Sequence, residues 1–145
     1  MKKILYLLIL QLAMVQSFAQ VAGKKRAIPP SYVTESIAQT VMATWKDSFS
    51  LGNQAKWAYD MGVILKGFEG IWRNTGDVKY FNYLLKQMDF FVQDDGTIKT
   101  YRPDEYNIDH INNGKLVLLL YRITQKEKYL KAAKLLREQL RTHPR

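Results

Sequence analysis

No cysteine occurs anywhere in the 145 residues. Disulfides are therefore excluded, and so is a membrane anchor built on a lipid-modified cysteine. The chain also lacks any long hydrophobic run after its first twenty residues. That opening, "MKKILYLLILQLAMVQSFAQ", has Lys2 and Lys3, an apolar stretch from Ile4 to Val15, and small residues at Ser17 and Ala19. The stretch is broken by Gln11 and is shorter than the ~20 residues that a spanning helix needs. It predicts a signal peptide over residues 1–19, an exported protein of a bacterial periplasm or surface, and no membrane segment after cleavage.

Acidic charge is scarce too, with 13 Asp and Glu against 22 Lys and Arg. Residues 20–114 hold 11 of each sign, so the surplus left after removal of the leader falls in residues 115–145. Nucleic-acid binding would want aromatic side chains interleaved with those basic ones on one surface. They are missing there. Lys131, Lys134, Arg137 and Arg141 share one helical side, while Tyr129, Ala133, Leu136 and Leu140 share the other, as in an amphipathic surface helix. Metal-ligand spacing is also wanting, because the adjacent pair Asp94-Asp95 stands before a turn glycine without the pattern of a calcium loop. Neither a metal nor a cofactor is expected.

What the chain does have is helical periodicity. Residues 20–30, basic and ending in Pro29-Pro30, read as a linker. A helix is expected from Ser31, as cap, to about Phe49, with Val33, Ile37, Val41 and Trp45 as its apolar stripe. Further helices are expected over 56–74, from Asp77 to about Val92, from Asp109 or Ile111 to Ile123, and over 126–140, with "TIKTYRP" extended between the middle pair. The 56–74 helix holds Gly62, Gly67 and Gly70, each costing ~1 kcal/mol relative to Ala, which points to close helix approach. "WRNTGDVKYF" (72–81) lies over "YRITQKEKYL" (121–130) at an offset of 49 residues, with Arg, Thr, Lys and Tyr coinciding. A helix end, a turn and the next helix start match in both copies. The chain is thus an array of helical hairpins, all-α, in which no unit buries its apolar face alone.

The stretch "EYNIDHINNGK" (105–115) concentrates polar side chains between two such helices. From spacing alone Asp109 is a helix N-cap with Asn112 nearby. "KWAYDMGVILKGFEGIW", "NTGDVKYFNYLLKQMDFFVQDDGTIKTY", "YNIDHINNGKLVLLLY" and "RTHPR", in this order, resemble the N-terminal part of the unsaturated rhamnogalacturonyl hydrolases, glycoside hydrolase family 105, and less closely the unsaturated glucuronyl hydrolases of family 88. The resemblance covers most of residues 45–145. It implies an (α/α)6 barrel of which residues 31–145 supply the first hairpins, less than half, with the chain ending before a Trp-Leu-Asp-Gly motif whose Asp is the general acid.

On that resemblance Asp109 is the first active-site aspartate and Tyr59 an aromatic at the cleft, with Trp57 and His110 as further lining. The implied substrate is an oligosaccharide from pectin-degrading lyases, whose terminal uronate carries a C4=C5 double bond. The implied reaction is hydration of that bond, and the 145-residue chain alone is expected to be inactive. Asp109 can cap a helix and face the cleft at once. A noncatalytic helical-repeat module holding an acidic polysaccharide on residues 115–145 is the reading from a different class. The uncovered barrel edge predicts self-association of the chain.

Overall fold

The computed structural model describes residues 30–50 and 54–144. The expected signal peptide and nearly all of the linker lie outside the described residues. One compact unit, Thr34–Arg145, contains everything below except the first turn of the first helix, which belongs to the other, Met1–Val33, otherwise undescribed. The described α-helices are α1 (Pro30–Thr44), α2 (Tyr59–Thr75), α3 (Val78–Phe91), α4 (Gly114–Thr124) and α5 (Glu127–Thr142). Two 3-10 segments, η1 (Pro103–Glu105) and η2 (Ile108–Asn113), lead into α4. No strand is present among the described residues beyond a single antiparallel bridge, Val92 to Ile98. No described helix is long and apolar enough to cross a membrane.

α2 packs on α3 and α4 on α5, so the fold is two helical hairpins in sequence. The 49-residue repeat is visible atom by atom. α2 ends at Gly76 (φ 71°) and α4 at Gln125 (φ 57°), both left-handed, and each donates its N–H to the carbonyl four residues back, Trp72 or Tyr121. Thr75 and Thr124 return their hydroxyls to Ile71 O and Leu120 O at 2.8 and 2.7 Å. Tyr80 and Tyr129, one turn into the next helix, are both buried. Where the copies differ, the chemistry compensates. Glycine takes positive φ without strain, whereas the Gln125 side chain donates to Tyr121 O, which its own N–H also meets, and to Arg122 O, a carbonyl that the helix end leaves open.

The core is formed by Trp57, Met61, Leu65 and Phe68 against Tyr80, Leu84, Met88 and Phe91, continued by Leu116, Val117, Leu120, Tyr129 and Leu136. Two carboxylates, Glu69 buried and Asp89 half-buried, are held by charge. Glu69 lies between Lys66 and Arg73, and although burial pushes its carboxyl up, the hydrogen bonds from those two cations bring it below the ordinary range. Asp89 accepts from Tyr129 Oη and Lys128 Nζ, both at 2.6 Å, tying the two hairpins together. There too burial acts upward and the two donors outweigh it.

Three expectations are corrected. α1 starts at Pro30 and ends at Thr44, so Ser31 lies inside its first turn, and a bend over Trp45 to Phe49 replaces the last helical turn. Its buried side is Ala38 with Val41, Met42 and Trp45, leaving Ile37 exposed. The "TIKTYRP" stretch forms one bridge and then turns at Thr100 (φ 63°). Of the α2 glycines only Gly62 meets a close neighbour; Gly67 and Gly70 have nothing within 4 Å.

Candidate functional site

The polar loop 105–115 divides its work among its residues. Asn107, not Asp109, caps η2: its side-chain oxygen accepts from Asp109 N at 3.0 Å. The expected cap therefore shifts by two residues, because an Asn in extended backbone reaches the amide two residues on, whereas Asp109 is already inside the first turn. Asn113 is fully buried and donates to Ala58 O at 3.0 Å, while Asn112 donates to Tyr59 O at 3.3 Å. These two amides clasp the entrance of α2. They fit because residue 62 is glycine: a Cβ there would stand 1.9 Å from Asn113 Oδ1 and 2.8 Å from Asn112 Nδ2.

Trp57 is 1 % exposed. It therefore does not line an open cleft, in contrast to its expected place. Instead its indole N–H donates to His110 O at 2.9 Å and its own N–H to Thr100 Oγ1 at 2.7 Å, so it pins the loop from beneath. His110 is half-buried, its ring 6.2 Å from Tyr101, with Nε2 3.4 Å from Asn107 Nδ2 and Nδ1 buried without a partner. Tyr59 is 54 % exposed at the first position of α2.

Asp109 is exposed, and among the described residues its carboxylate has neither a hydrogen-bond donor nor an ion-pair partner. Every other carboxylate of the loop region is engaged, Asp104 and Glu105 by Arg102. Beside Asn107, Asn112 and Asn113, whose side chains are each tied to backbone, Asp109 has its own oxygens open to hydroxyls or a second acid from outside.

Tyr59 and Asp109 both line a groove of about 820 Å³. Its floor is apolar, with Val63, Leu118, Leu130, Leu136 and Leu140, and Lys134 and Arg137 stand on the α5 side. Such a floor suits a packing helix better than a sugar, so the polar mouth, Tyr59 with Asp109, Asn112 and Lys115, is the part fitted to a hydrophilic ligand. Lys115 donates to Asn112 Oδ1 at 3.0 Å and also borders a smaller recess of about 160 Å³ with Gly62, Val63 and Lys66. No three His, Cys, Asp or Glu side chains gather as metal ligands among the described residues. At the turn before the loop, Asp95 accepts from Thr97 N and Thr97 Oγ1, a local turn contact.

One contributor escaped the sequence reading. Gln139, 2 % exposed on α5, accepts from Tyr101 Oη at 2.5 Å and donates to Asn107 O at 3.0 Å. A single Gln on the apolar side of an amphipathic helix was the signal available. Burial pushes the Tyr101 hydroxyl above its ordinary value, which keeps it a donor.

Paired hairpins with an open carboxylate and an exposed tyrosine lining one groove define an all-α hairpin-repeat protein. Residues 33–145 match the family model of Glycosyl Hydrolase Family 88, and the chain belongs to that family. It is similar to a solved glycoside hydrolase of family 105 from C. acetobutylicum ATCC 824, at 40% sequence identity and a TM-score of 0.69, over 77% of this chain. The chain spans 30% of the length of that protein. The all-α hairpins of this chain are consistent with part of a helical barrel.

Proposed function

We propose that this chain forms one wall of the active site of an exported glycoside hydrolase acting on an unsaturated uronate at the end of a pectin-derived oligosaccharide. The observation that carries the reading is the open Asp109 carboxylate on the same groove as exposed Tyr59, in a chain of this family. In the proposed reaction a carboxylic acid delivers its proton to C4 of the C4=C5 double bond. Water adds at C5 and gives up a proton to a general base, and the resulting hemiketal opens to release the next sugar. This departs from direct displacement at the glycosidic carbon by two carboxylates. Asp109 would hold sugar hydroxyls and, as a neighbouring negative charge, keep the acid protonated. Tyr59 offers a ring face to the sugar and Lys115 a cation near its carboxylate.

The resemblance puts the acid on a Trp-Leu-Asp-Gly motif, which these 145 residues do not contain. The chain is accordingly expected to bind without turnover. Addition of unsaturated rhamnogalacturonan disaccharide to ¹⁵N-labelled chain should shift the amides of Tyr59, Asp109 and Asn112, and Asp109→Asn should abolish those shifts. Shifts confined to residues 126–141, given equally by a saturated acidic polysaccharide, would support the noncatalytic binding module instead. Loss of the substrate's ultraviolet absorbance on incubation with the 145-residue chain would overturn the assignment of the acid.

A further inference from the structure

The open carboxylate of Asp109 sits on a six-residue 3-10 segment, and such segments hold their shape poorly by themselves because their hydrogen bonds are few and bent. The backbone before it is also unusual: Thr100 and Tyr106 both have positive φ without being glycine. Strain of that kind persists only where surrounding contacts over-determine the chain. From the α2 side the contacts are Trp57, Ala58 and Tyr59, which hold the second half of the loop at residues 110, 113 and 112. The first half, where Asn107 caps the turn that carries Asp109, has its long-range anchor on α5.

We propose that Gln139 is a positioning residue for Asp109, its amide tying the cap residue Asn107 to helix α5. Four observations support this. The side chain is buried, and a buried amide is costly unless its hydrogen bonds are made. Both ends of its amide are used, Oε1 by Tyr101 and Nε2 by the carbonyl of Asn107. That carbonyl belongs to the residue whose side chain in turn receives Asp109 N, so two bonds separate Gln139 from the backbone of Asp109. The same carbonyl accepts His110 N at 3.2 Å, closing the first turn of η2 around it. Helix α5 thus fixes the backbone from which the carboxylate projects. The idea rests on the functional reading of Asp109, and its test can fail separately from that reading.

Gln139→Met removes both hydrogen bonds at nearly constant volume. Backbone ¹⁵N order parameters in the 145-residue chain provide the readout. Residues 107–110 should fall from the rigid range near ~0.85 toward ~0.6 or below, while Leu84 and Met88 in α3 keep their values. Tyr101→Phe, which removes only the hydroxyl that orients the amide, should loosen the same residues by a smaller amount, and it remains informative if Gln139→Met folds poorly. Unchanged order at 107–110 in both variants would overturn the proposal, as would a loss of order spread evenly over α3. If the loosening is seen but Asp109→Asn leaves disaccharide binding intact, the tether stands and the role given to Asp109 falls.

Discussion

At Gly62 a missing methyl group decides how close two structural elements come. Asn113 cannot swing aside from an added Cβ, because it is fully buried and its amide is committed to Ala58 O. Gly62→Ala should therefore destabilise the chain by about 1–3 kcal/mol through overpacking, despite the ~1 kcal/mol that alanine gains over glycine in a helix interior. Gly67→Ala, in open space, should stabilise it by up to ~1 kcal/mol. Denaturant unfolding of the two variants side by side checks the contrast, and equal effects would mean that the loop does not press on α2. The sequence announced three glycines alike; which one matters depended on a partner 51 positions away. In the same way "NIDHINN" was legible as a polar cluster, but the split into a cap, two clasps and an open carboxylate was not. That split is set by where α2 and α5 stand.

At the scale of elements, periodicity served well where a helix has one buried stripe and poorly at the ends. α2 to α5 appear within a few residues of their expected bounds, and the 49-residue repeat, read from four identities, is matched by two left-handed turns. α1 was overextended, since the bend at Trp45 is stabilised from another helix. Tyr83 Oη and Gln87 Nε2 of α3 both donate to Trp45 O at 2.9 Å. Burial pushes the Tyr83 hydroxyl up to about 12. Unfolded tyrosine ionises near pH ~10, so above that value the unfolded chain sheds a proton that the folded chain retains. The Tyr83 contribution is complete below pH ~10 and is lost as pH rises toward about 12. Tyr83→Phe should cost only about 1 kcal/mol at neutral pH, because Gln87 still serves Trp45 O, and should flatten the alkaline fall in stability. Chemical unfolding at intervals between pH 8 and 11 checks the slope; an unchanged slope would place the alkaline lability elsewhere.

At the scale of the whole chain, the apolar groove lined from α2, α4 and α5 leaves Val63, Leu118 and Leu140 each about half exposed. A patch of that kind drives association when nothing covers it. Sedimentation velocity should therefore show concentration-dependent self-association of the 145-residue chain, and Leu118→Glu should shift it to monomer without loss of helicity. A monodisperse wild-type monomer would sink that expectation. The bonds that set the mouth of the groove also impose an order of events. Trp57 to Thr100, Trp57 to His110, Asn113 to Ala58 and Gln139 to Asn107 span 43, 53, 55 and 32 residues, whereas each hairpin joins neighbours across a two-residue turn. Contacts of long span carry the larger loop-closure cost and form after local ones. During synthesis the α2–α3 hairpin is free to close as soon as it emerges, but the loop bearing Asp109 waits until Gln139 has left the ribosome. The loop that carries Asp109 is thus among the last parts to take shape.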